Sequence, residues 1–315
     1  MPIQEQNLSL AVRNKLNGPP YFKPGKKTWF VNSLAGGGSG GTFGTAFATM
    51  AAAFAVVESG DTILAWGKIR EQLTAPVQIF DVTIIGMGNR PRHADAEPAS
   101  LRGGSSTFTW AAPASPTAAT PLLKLMQQGW RLVNILFAGP TGGDALDACV
   151  QLYRDAGAGD AERDASHAEF IDCRFASGSK GINDTGGCYG VLVKGNRFSA
   201  LTHAIVGVGN IGQGQTQWVI EDNHFSGMDN GVKIAGYECR IRGNTFSDGV
   251  TPNTSYVLSV IGANNFVFEN FFQTLTANFN TPDVVGDATS VWVRNESFDA
   301  TSAGVGTNAE YGNPA

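Results

Sequence analysis

Four acidic side chains in the second half of the sequence could act as general acids, general bases or nucleophiles. Asp172, Glu221, Asp222 and Glu269 occupy similar places in short segments that resemble one another. Polysaccharide hydrolysis uses two carboxyl groups about 5–9.5 Å apart, and adjacent stacked segments would bring such acids near the lower end of this range. The competing interpretation is structural, because acids beside tight turns often only cap them. These four residues are the catalytic candidates if the protein is an enzyme.

Other chemical sites are not indicated by the spacing of reactive residues. Basic residues such as Lys194 and Arg242 alternate with the acids, and alternating charge is typical of a solvated face. A stretch containing Asp160, Glu162, Asp164 and His167 has irregular spacing, which favours a solvated loop over a metal site. The four cysteines form no C-x-x-C pair and are predicted to be buried free thiols. The glycine-rich run at 36–41 lacks the lysine of phosphate-binding loops, so no metal and no cofactor are predicted.

The acidic candidates belong to an internal repeat. Segments ending in phenylalanine recur as FIDCRF (170–175), VKGNRF (193–198), IEDNHF (220–225), IRGNTF (241–246) and VFENFF (267–272). LVNILF (132–137) looks like an earlier copy, and VRNESF (293–298) is an off-register relative. From Phe175 to Phe298 the final phenylalanines are 23, 27, 21, 26 and 26 residues apart. This periodicity predicts a solenoid in which each repeat forms one coil.

Stacked coils place equivalent residues above one another at about 4.8 Å, which predicts two internal columns. The aromatic column consists of Phe175, Phe198, Phe225, Phe246 and Phe272. An asparagine lies two residues before four of these phenylalanines, at Asn196, Asn223, Asn244 and Asn270. We expect these asparagines to adopt left-handed corner conformations and to hydrogen bond to the coils above and below.

A capping unit precedes the coils. The sequence predicts a strand at 29–31, a helix over about 45–58, and strands at 61–65, 69–73 and 82–85. The helix would bury Phe47, Met50, Phe54 and Val57 along one face.

The remaining segments define the domain boundaries. Residues 1–28 carry a net charge of +4 and contain four prolines, and they are predicted to be an extended anchoring arm. The arm would bind a partner through a set of basic and aromatic residues: Arg13, Lys15, Tyr21, Phe22, Lys23, Lys26 and Lys27. A single solenoid domain is predicted over 29–299, with a cap at 29–73, an inserted loop at 89–121 and coils at 122–299. Residues 300–315 are predicted to be a C-terminal tail that adds no coil.

The composition excludes several classes of protein. Only 16% of the residues are charged, 40 are glycine, and the formal net charge is −5. Such a chain is not expected to bind nucleic acid. Its longest apolar run, near 47–57, is too short to insert across a membrane. The first residues, MPIQEQNLSL, show no secretory signal, which favours synthesis in a reducing compartment.

The cap and the coils together resemble the right-handed parallel β-helix proteins of the pectate-lyase-like superfamily. The likeness lies in TWFVNS (28–33), in FATMAAAFAVVESGDTILAWGKIREQL (47–73) and in the coils from about 130 to 299. The cap departs from many relatives at Ile69, where they carry an aromatic residue before the glutamate that is Glu71 here. The resemblance implies an all-β fold, and relatives serve as polysaccharide lyases and hydrolases or as phage tailspikes, fibres and capsid-surface proteins.

The resemblance leaves several functions open. A lyase of this superfamily would need an acidic calcium site beside a basic residue, and the paired aspartates, Gly-His-Gly and Arg-x-Lys of polygalacturonases are absent from this sequence. We therefore favour a non-enzymatic bacteriophage virion protein, a capsid decoration protein made in the host cytoplasm and homotrimeric like its relatives. Its arm would bind the capsid or another virion protein. One alternative is a tail fibre or tailspike-type receptor-binding protein that contacts host glycan through the 89–121 loop with Trp110. A further alternative is a polysaccharide lyase or hydrolase, a depolymerase.

Overall fold

The computed structural model describes residues 26–34, 37–88, 108–139, 148–154, 163–207, 215–249, 258–274, 284–285, 290–299 and 309–311. Of the residues predicted to bind a partner, Arg13, Lys15, Tyr21, Phe22 and Lys23 lie outside this set. Lys26 and Lys27 lie inside it. Lys27 forms an exposed ion pair with Glu58 at 3.1 Å, and its ammonium lies 5.8 Å from the centre of the Trp29 ring.

The described residues form strands almost throughout, with one helical turn (Phe43–Thr45) and one short helix, α1 (Met50–Phe54). No helix among them is long and apolar enough to cross a membrane. In chain order the strands are β1 (Thr28–Asn32), β2 (Thr62–Trp66), β3 (Lys68–Ile69), β4 (Leu73–Thr74), β5 (Thr83–Gly86), β6 (Thr109–Ala111), β7 (Leu123–Leu125), β8 (Arg131–Val133), β9 (Leu136–Ala138), β10 (Val150–Leu152), β11 (Glu169–Ile171), β12 (Arg174–Asp184), β13 (Leu192–Lys194), β14 (Arg197–Gly207), β15 (Val219–Glu221), β16 (His224–Met228), β17 (Asn230–Ala235), β18 (Arg240–Arg242), β19 (Thr245–Gly249), β20 (Leu258–Ile261), β21 (Phe266–Phe268), β22 (Phe271–Thr274), β23 (Val284–Val285), β24 (Val291–Val293), β25 (Asn295–Asp299) and β26 (Ala309–Tyr311).

These strands stack into three parallel walls. The first wall has the order β1-β2-β5-β8-β11-β13-β15-β18-β21-β24. The second runs from β3 through β6 and β9 to β25, and the third runs from β4 through β7 and β10 to β23. The eleven-residue strands β12 and β14 each bend from the second wall into the third. The chain therefore folds as a right-handed parallel β-helix, as the repeat predicted.

Each three-residue strand of the first wall has one inward and two outward side chains, because side chains alternate across a strand. The central residues Val193, Ile220, Ile241 and Val267 are fully buried and lie in register on successive strands. The first and third residues of the same strands point outward. The interior consequently becomes an apolar column, while the outer face is free to carry functional groups.

Single residues in left-handed conformation flank the first wall on both sides. The row after the strands includes Asn134, Asp172, Gly195, Asp222, Gly243, Glu269 and Arg294, all with φ between 51° and 66°. We expected the four repeat asparagines to be the left-handed residues, and this is wrong by one position. The turn is made by the residue before each asparagine, which leaves the asparagine side chain pointing inward.

The repeat asparagines form a buried hydrogen-bonded ladder. Asn223 donates from Nδ2 to Oδ1 of Asn244 at 3.0 Å and to the carbonyl of Val193 at 2.9 Å. Its Oδ1 accepts from both the backbone N–H and Nδ2 of Asn196. The same pattern continues through Asn270 to Asn295. Each amide therefore joins its coil to the adjacent coils.

The phenylalanines form the aromatic column. The rings of Phe175, Phe198, Phe225, Phe246 and Phe272 stack at centroid distances of 4.6–5.0 Å with interplanar angles of 6–11°. Phe137 extends the stack at the N-terminal side. At the C-terminal end Phe272 pairs with Ser297 instead of Phe298, in agreement with the off-register final copy.

The cap contains less helix than the sequence predicts. Helix α1 covers Met50–Phe54 only, although all four residues of the predicted apolar face are buried. The two carboxylate oxygens of Glu71 accept hydrogen bonds from backbone N–H groups at the start of α1, from Met50 at 2.7 Å and from Ala51 at 3.4 Å. The strand predicted at 69–73 is interrupted, because residues 70–72 form a corner between β3 and β4.

Two segments predicted to leave the solenoid contribute to it. Within the predicted 89–121 loop, residues 109–111 form β6 in the second wall, between β3 and β9. Trp110 is fully buried and stacks on Phe137, so the predicted glycan contact by Trp110 is wrong. Within the predicted tail, β26 pairs antiparallel with β25.

Candidate functional site

The outer face of the first wall presents two columns of side chains over its C-terminal half. The first residues of successive strands are Val219, Arg240, Phe266 and Val291, and the third residues are Glu221, Arg242, Phe268 and Val293. Because the strands are parallel and in register, each residue lies beside its counterpart on the next coil. Groups far apart in sequence are thereby brought together.

Glu221 is the centre of a charged cluster on this face. Its side chain is only 7% exposed, and Lys194 donates from Nζ to its Oε1 at 2.6 Å. Arg242 donates to the other oxygen from Nε at 2.7 Å and from Nη2 at 2.6 Å. Lys194, Glu221 and Arg242 lie directly opposite one another on β13, β15 and β18. We call these three residues the cation clamp.

Opposing influences set the pKa of Glu221. Burial raises it, and the hydrogen bonds from Lys194 and Arg242, together with their charges, outweigh burial and hold the pKa below its ordinary value. The Glu221 hydrogen bond in turn raises the pKa of Lys194 and that of Arg242. In the free protein the clamp is therefore a carboxylate held between two cations.

A trough adjoins the clamp. A depression of about 320 Å³ is lined by Val219, Glu221, Arg240, Arg242, Phe266 and Phe268. It meets a second depression of about 530 Å³, which shares Val219, Arg240 and Phe266 and extends to Gln217, Glu238 and Asn264. A third, of about 210 Å³, lies over β21 and β24 beside Glu269 and Arg294. We call the first two depressions together the trough.

The trough combines apolar surface with positive charge. Phe266 is 44% exposed, and the Arg242 side chain is 49% exposed although it is paired. The Arg240 guanidinium is exposed and forms no ion pair with any carboxylate in the described part of the chain. Exposed aromatic rings beside guanidinium groups are suited to bind a ligand with both apolar faces and anionic groups.

The other predicted acids do not join the clamp. Asp172, Asp222 and Glu269 occupy the left-handed row on alternate coils, with Gly195 and Gly243 between them. Successive acids in this row are therefore two coils apart, which is about 9–10 Å between their backbones. We had expected them on adjacent coils. Glu269 is exposed and pairs with Arg294 at 3.4 Å. Asp222 and Glu269 are exposed and Asp172 is half-buried, so none of these three carboxyl groups is enclosed as Glu221 is.

The acidic groups do not fit a calcium site. Both oxygens of Glu221 already accept hydrogen bonds from cationic nitrogens. Within the described ranges, no three His, Cys, Asp or Glu side chains come together in a way that could hold a metal ion. Of the stretch considered for a metal, Asp160 and Glu162 lie outside these ranges, and Asp164 is engaged by Ser166 and Arg154.

Of the residues that line the trough, Glu221 was predicted from the sequence as a site residue, whereas most of the others were not. Arg240, Phe266 and Phe268 were not singled out, although the alternation in FVF (266–268) is a signal of outward aromatic residues on a strand. Lys194 and Arg242 were noted only as alternating charge. Their significance depends on strand register, which places both of them against Glu221.

Comparison with known proteins supports the fold. Neither a protein-family profile nor a curated protein sequence matches this chain. The PL6-family alginate lyase AlyGC matches with a TM-score of 0.52 and 12% sequence identity, over 89% of this chain and 38% of the lyase. A rhamnogalacturonan lyase matches with a TM-score of 0.47 and 11% identity, over 84% of this chain and 86% of that enzyme. Pectate lyase Pel9A matches with a TM-score of 0.38 and 14% identity, over 90% and 82% of the two chains.

The chain thus has a right-handed parallel β-helix fold. The predicted function of a non-enzymatic capsid decoration protein is contradicted by this comparison, because the matched structure AlyGC is an alginate lyase. At this level of identity the likeness establishes the fold alone. Trimer formation and the function of the arm stay predictions.

Proposed function

We propose that this protein is a polysaccharide depolymerase that cleaves an acidic polysaccharide by β-elimination at the cation clamp. The observation that carries the proposal is the position of Glu221, a buried carboxylate between Lys194 and Arg242 at one side of the trough. The alginate lyase AlyGC, which has a similar fold, cleaves a polysaccharide, and this likeness supports the proposal of a depolymerase. The alternative of hydrolysis has less support, because Glu221, the buried carboxylate of this cluster, is paired with two cations, whereas hydrolysis uses a pair of carboxyl groups.

Elimination at a uronate unit requires three changes. A base removes the proton from C5, the electrons of that bond form a double bond between C4 and C5, and the bond from C4 to the glycosidic oxygen breaks. The leaving oxygen takes up a proton. Negative charge develops on the uronate carboxylate as the C5 proton leaves, so fixed positive charge beside that carboxylate stabilises the transition state.

The clamp supplies this positive charge through Lys194 and Arg242. A substrate carboxylate that binds both cations competes with Glu221 for their hydrogen bonds. Burial would then raise the pKa of Glu221, because the hydrogen bonds that oppose this effect are shared with the substrate. In the proposal Glu221 is consequently the proton acceptor, and it becomes more basic when substrate is bound. Lys194 donates the proton to the leaving oxygen.

The test is a cleavage assay on defined polymers. The protein is incubated with alginate, polygalacturonate and neutral dextran, and the ultraviolet absorbance of the new C4–C5 double bond is followed. We expect an increase with an acidic polymer and none with dextran. New reducing ends without the double bond would show hydrolysis, and no cleavage of either acidic polymer would contradict the proposal.

A further inference from the structure

We infer that the polysaccharide lies across the solenoid, parallel to the strands of the first wall, and that consecutive sugar units occupy two equivalent subsites. Each subsite pairs one arginine with one phenylalanine: Arg240 with Phe266, and Arg242 with Phe268. The inference rests on the proposed function for the identity of its ligand, an acidic polysaccharide.

Register places the two pairs side by side. Arg240 lies directly opposite Phe266, and Arg242 lies directly opposite Phe268, on the adjacent strands β18 and β21. Ile241 lies between Arg240 and Arg242 on its strand, and Val267 lies between Phe266 and Phe268 on the next. Both Ile241 and Val267 point into the core and are fully buried. Two outward positions on one strand are about 6.6–6.8 Å apart, so the second subsite repeats the first at that distance along the strand.

The shape of the trough follows the same direction. The two larger depressions succeed each other along the strands, from Gln217, Glu238 and Asn264 to Glu221, Arg242 and Phe268. The smaller third depression, of about 210 Å³, shares Phe266 and Phe268 and extends along the axis to Val291 and Val293. Four residue steps, as from Gln217 to Glu221, correspond to about 13 Å of length. Along the solenoid axis the surface changes instead from charged to apolar, from Arg240 through Phe266 to Val291. An axial chain of identical units would therefore meet unlike surfaces.

Each subsite offers complementary contacts to a uronate unit. The guanidinium group can donate charge-assisted hydrogen bonds to a carboxylate, while the phenyl ring can pack against the apolar face of the sugar. Arg240 presents a guanidinium without a carboxylate partner in the described ranges, and Arg242 lies in the cation clamp. The Arg242 subsite is consequently where the elimination would occur, and the Arg240 subsite holds the neighbouring unit.

Glu238 gives this orientation a direct test. Its exposed carboxylate lies at the far end of the trough, where it accepts a hydrogen bond from Gln217 Nε2 at 3.1 Å. A polyanion that runs along the trough must pass this negative charge. One that runs along the axis would pass Val291 instead, which is 45% exposed.

The experiment measures binding of alginate and polygalacturonate tetrasaccharides by calorimetry, at low salt and low temperature. We expect Glu238→Gln to tighten binding about twofold to fivefold, since it removes one repulsive surface charge, and Val291→Ala, which removes only an apolar contact along the axis, to leave it unchanged. Arg240→Ala and Phe266→Ala should each weaken binding about threefold to thirtyfold. Arg163→Ala and Phe80→Ala, exposed residues outside the trough, are the matched controls.

The outcomes separate this inference from the proposed function. Weakening by Val291→Ala without tightening by Glu238→Gln would place the chain along the axis and overturn the inference, even if cleavage is intact. Binding with the expected pattern but without cleavage would support the subsites and contradict the elimination. No binding of either tetrasaccharide would overturn the inference as well.

Discussion

Glu221 and Arg242 lie directly opposite each other on adjacent parallel strands, and the Arg242 Nε donates to Glu221 Oε2 at 2.7 Å. Twenty-one residues separate them in sequence, the length of one coil. Their contact is therefore a product of register, in the same way as the stacking of Phe225 on Phe246 below them. The solenoid makes the interior repetitive and uses the outer positions of the same strands to assemble a charged site.

Replacement of Glu221 by glutamine should abolish elimination while polysaccharide binding is retained. Glutamine is similar in size and cannot accept the C5 proton, so we expect a loss of at least about 100-fold in kcat. Cleavage assays and binding measurements on the same variant check this. Glu269→Gln is the matched control, since Glu269 lies two coils away, and it should keep activity within about threefold. Equal effects of the two substitutions would remove Glu221 from the mechanism.

The clamp should make the stability of the protein depend on pH. The folded-state pKa of Glu221 lies below its ordinary value of 4.5, so its contribution is fully present above that value and is lost as pH falls through the folded pKa. The folded-state pKa of Lys194 is raised, so its contribution is lost when pH rises above 10.5. Denaturant unfolding of the protein and of Glu221→Gln should therefore converge in stability in acid. A difference that grows below pH 4 would show that the ion pairs do not stabilise the fold.

Phe225→Ala should destabilise the protein by about 3–5 kcal/mol, because it opens a cavity within the aromatic column. Phe225 is 1% exposed and stacks on a ring on either side. The same substitution at Phe266, which is 44% exposed, should change the free energy of unfolding by less than about 1 kcal/mol. Chemical denaturation of both variants makes the comparison. Similar losses at the two positions would mean that the column is not the source of stability.

Asn223→Ala should destabilise the protein by about 2–4 kcal/mol, since it leaves two buried backbone groups without partners. These are the N–H of Asn196 and the carbonyl of Val193, which bond to the Asn223 side chain at 2.8 and 2.9 Å. Hydrogen exchange provides the site-specific measurement, because the Asn196 amide should lose protection more than the Asn270 amide two coils away. Unchanged protection at Asn196 would contradict the ladder.

The sequence was sufficient to predict the solenoid because its interior repeats. Phenylalanines at 175, 198, 225, 246 and 272 occupy one column, although consecutive members are between 21 and 27 residues apart in the sequence. Trp110 was misplaced for the opposite reason, because its strand lies in a stretch rich in Pro, Ala, Ser and Thr with no repeat signal. The left-handed conformation was assigned to the asparagines, which favour it, whereas the hydrogen-bonded ladder requires their side chains inside.

The site was less accessible to sequence analysis than the fold. Asp172, Asp222 and Glu269 attracted attention as acids, yet the left-handed row leaves them on alternate coils. Arg240 and Phe266 belong to different segments 26 residues apart, and only their register makes them one surface. Outer positions carry no repeated residue type, so their pairing is not visible until the strands are aligned.

Elimination at the cation clamp is tested most directly by cleaving alginate or polygalacturonate in water labelled with oxygen-18. The masses of the products are then measured by mass spectrometry. Elimination transfers no water oxygen, so we expect unlabelled fragments. At each cleavage the fragment with the C4–C5 double bond is lighter by one water than its hydrolysis counterpart, and the other fragment has the ordinary mass. Glu221→Gln should give no fragments. Fragments that contain one heavy oxygen per cleavage would show that water attacks the glycosidic bond, and they would contradict the account.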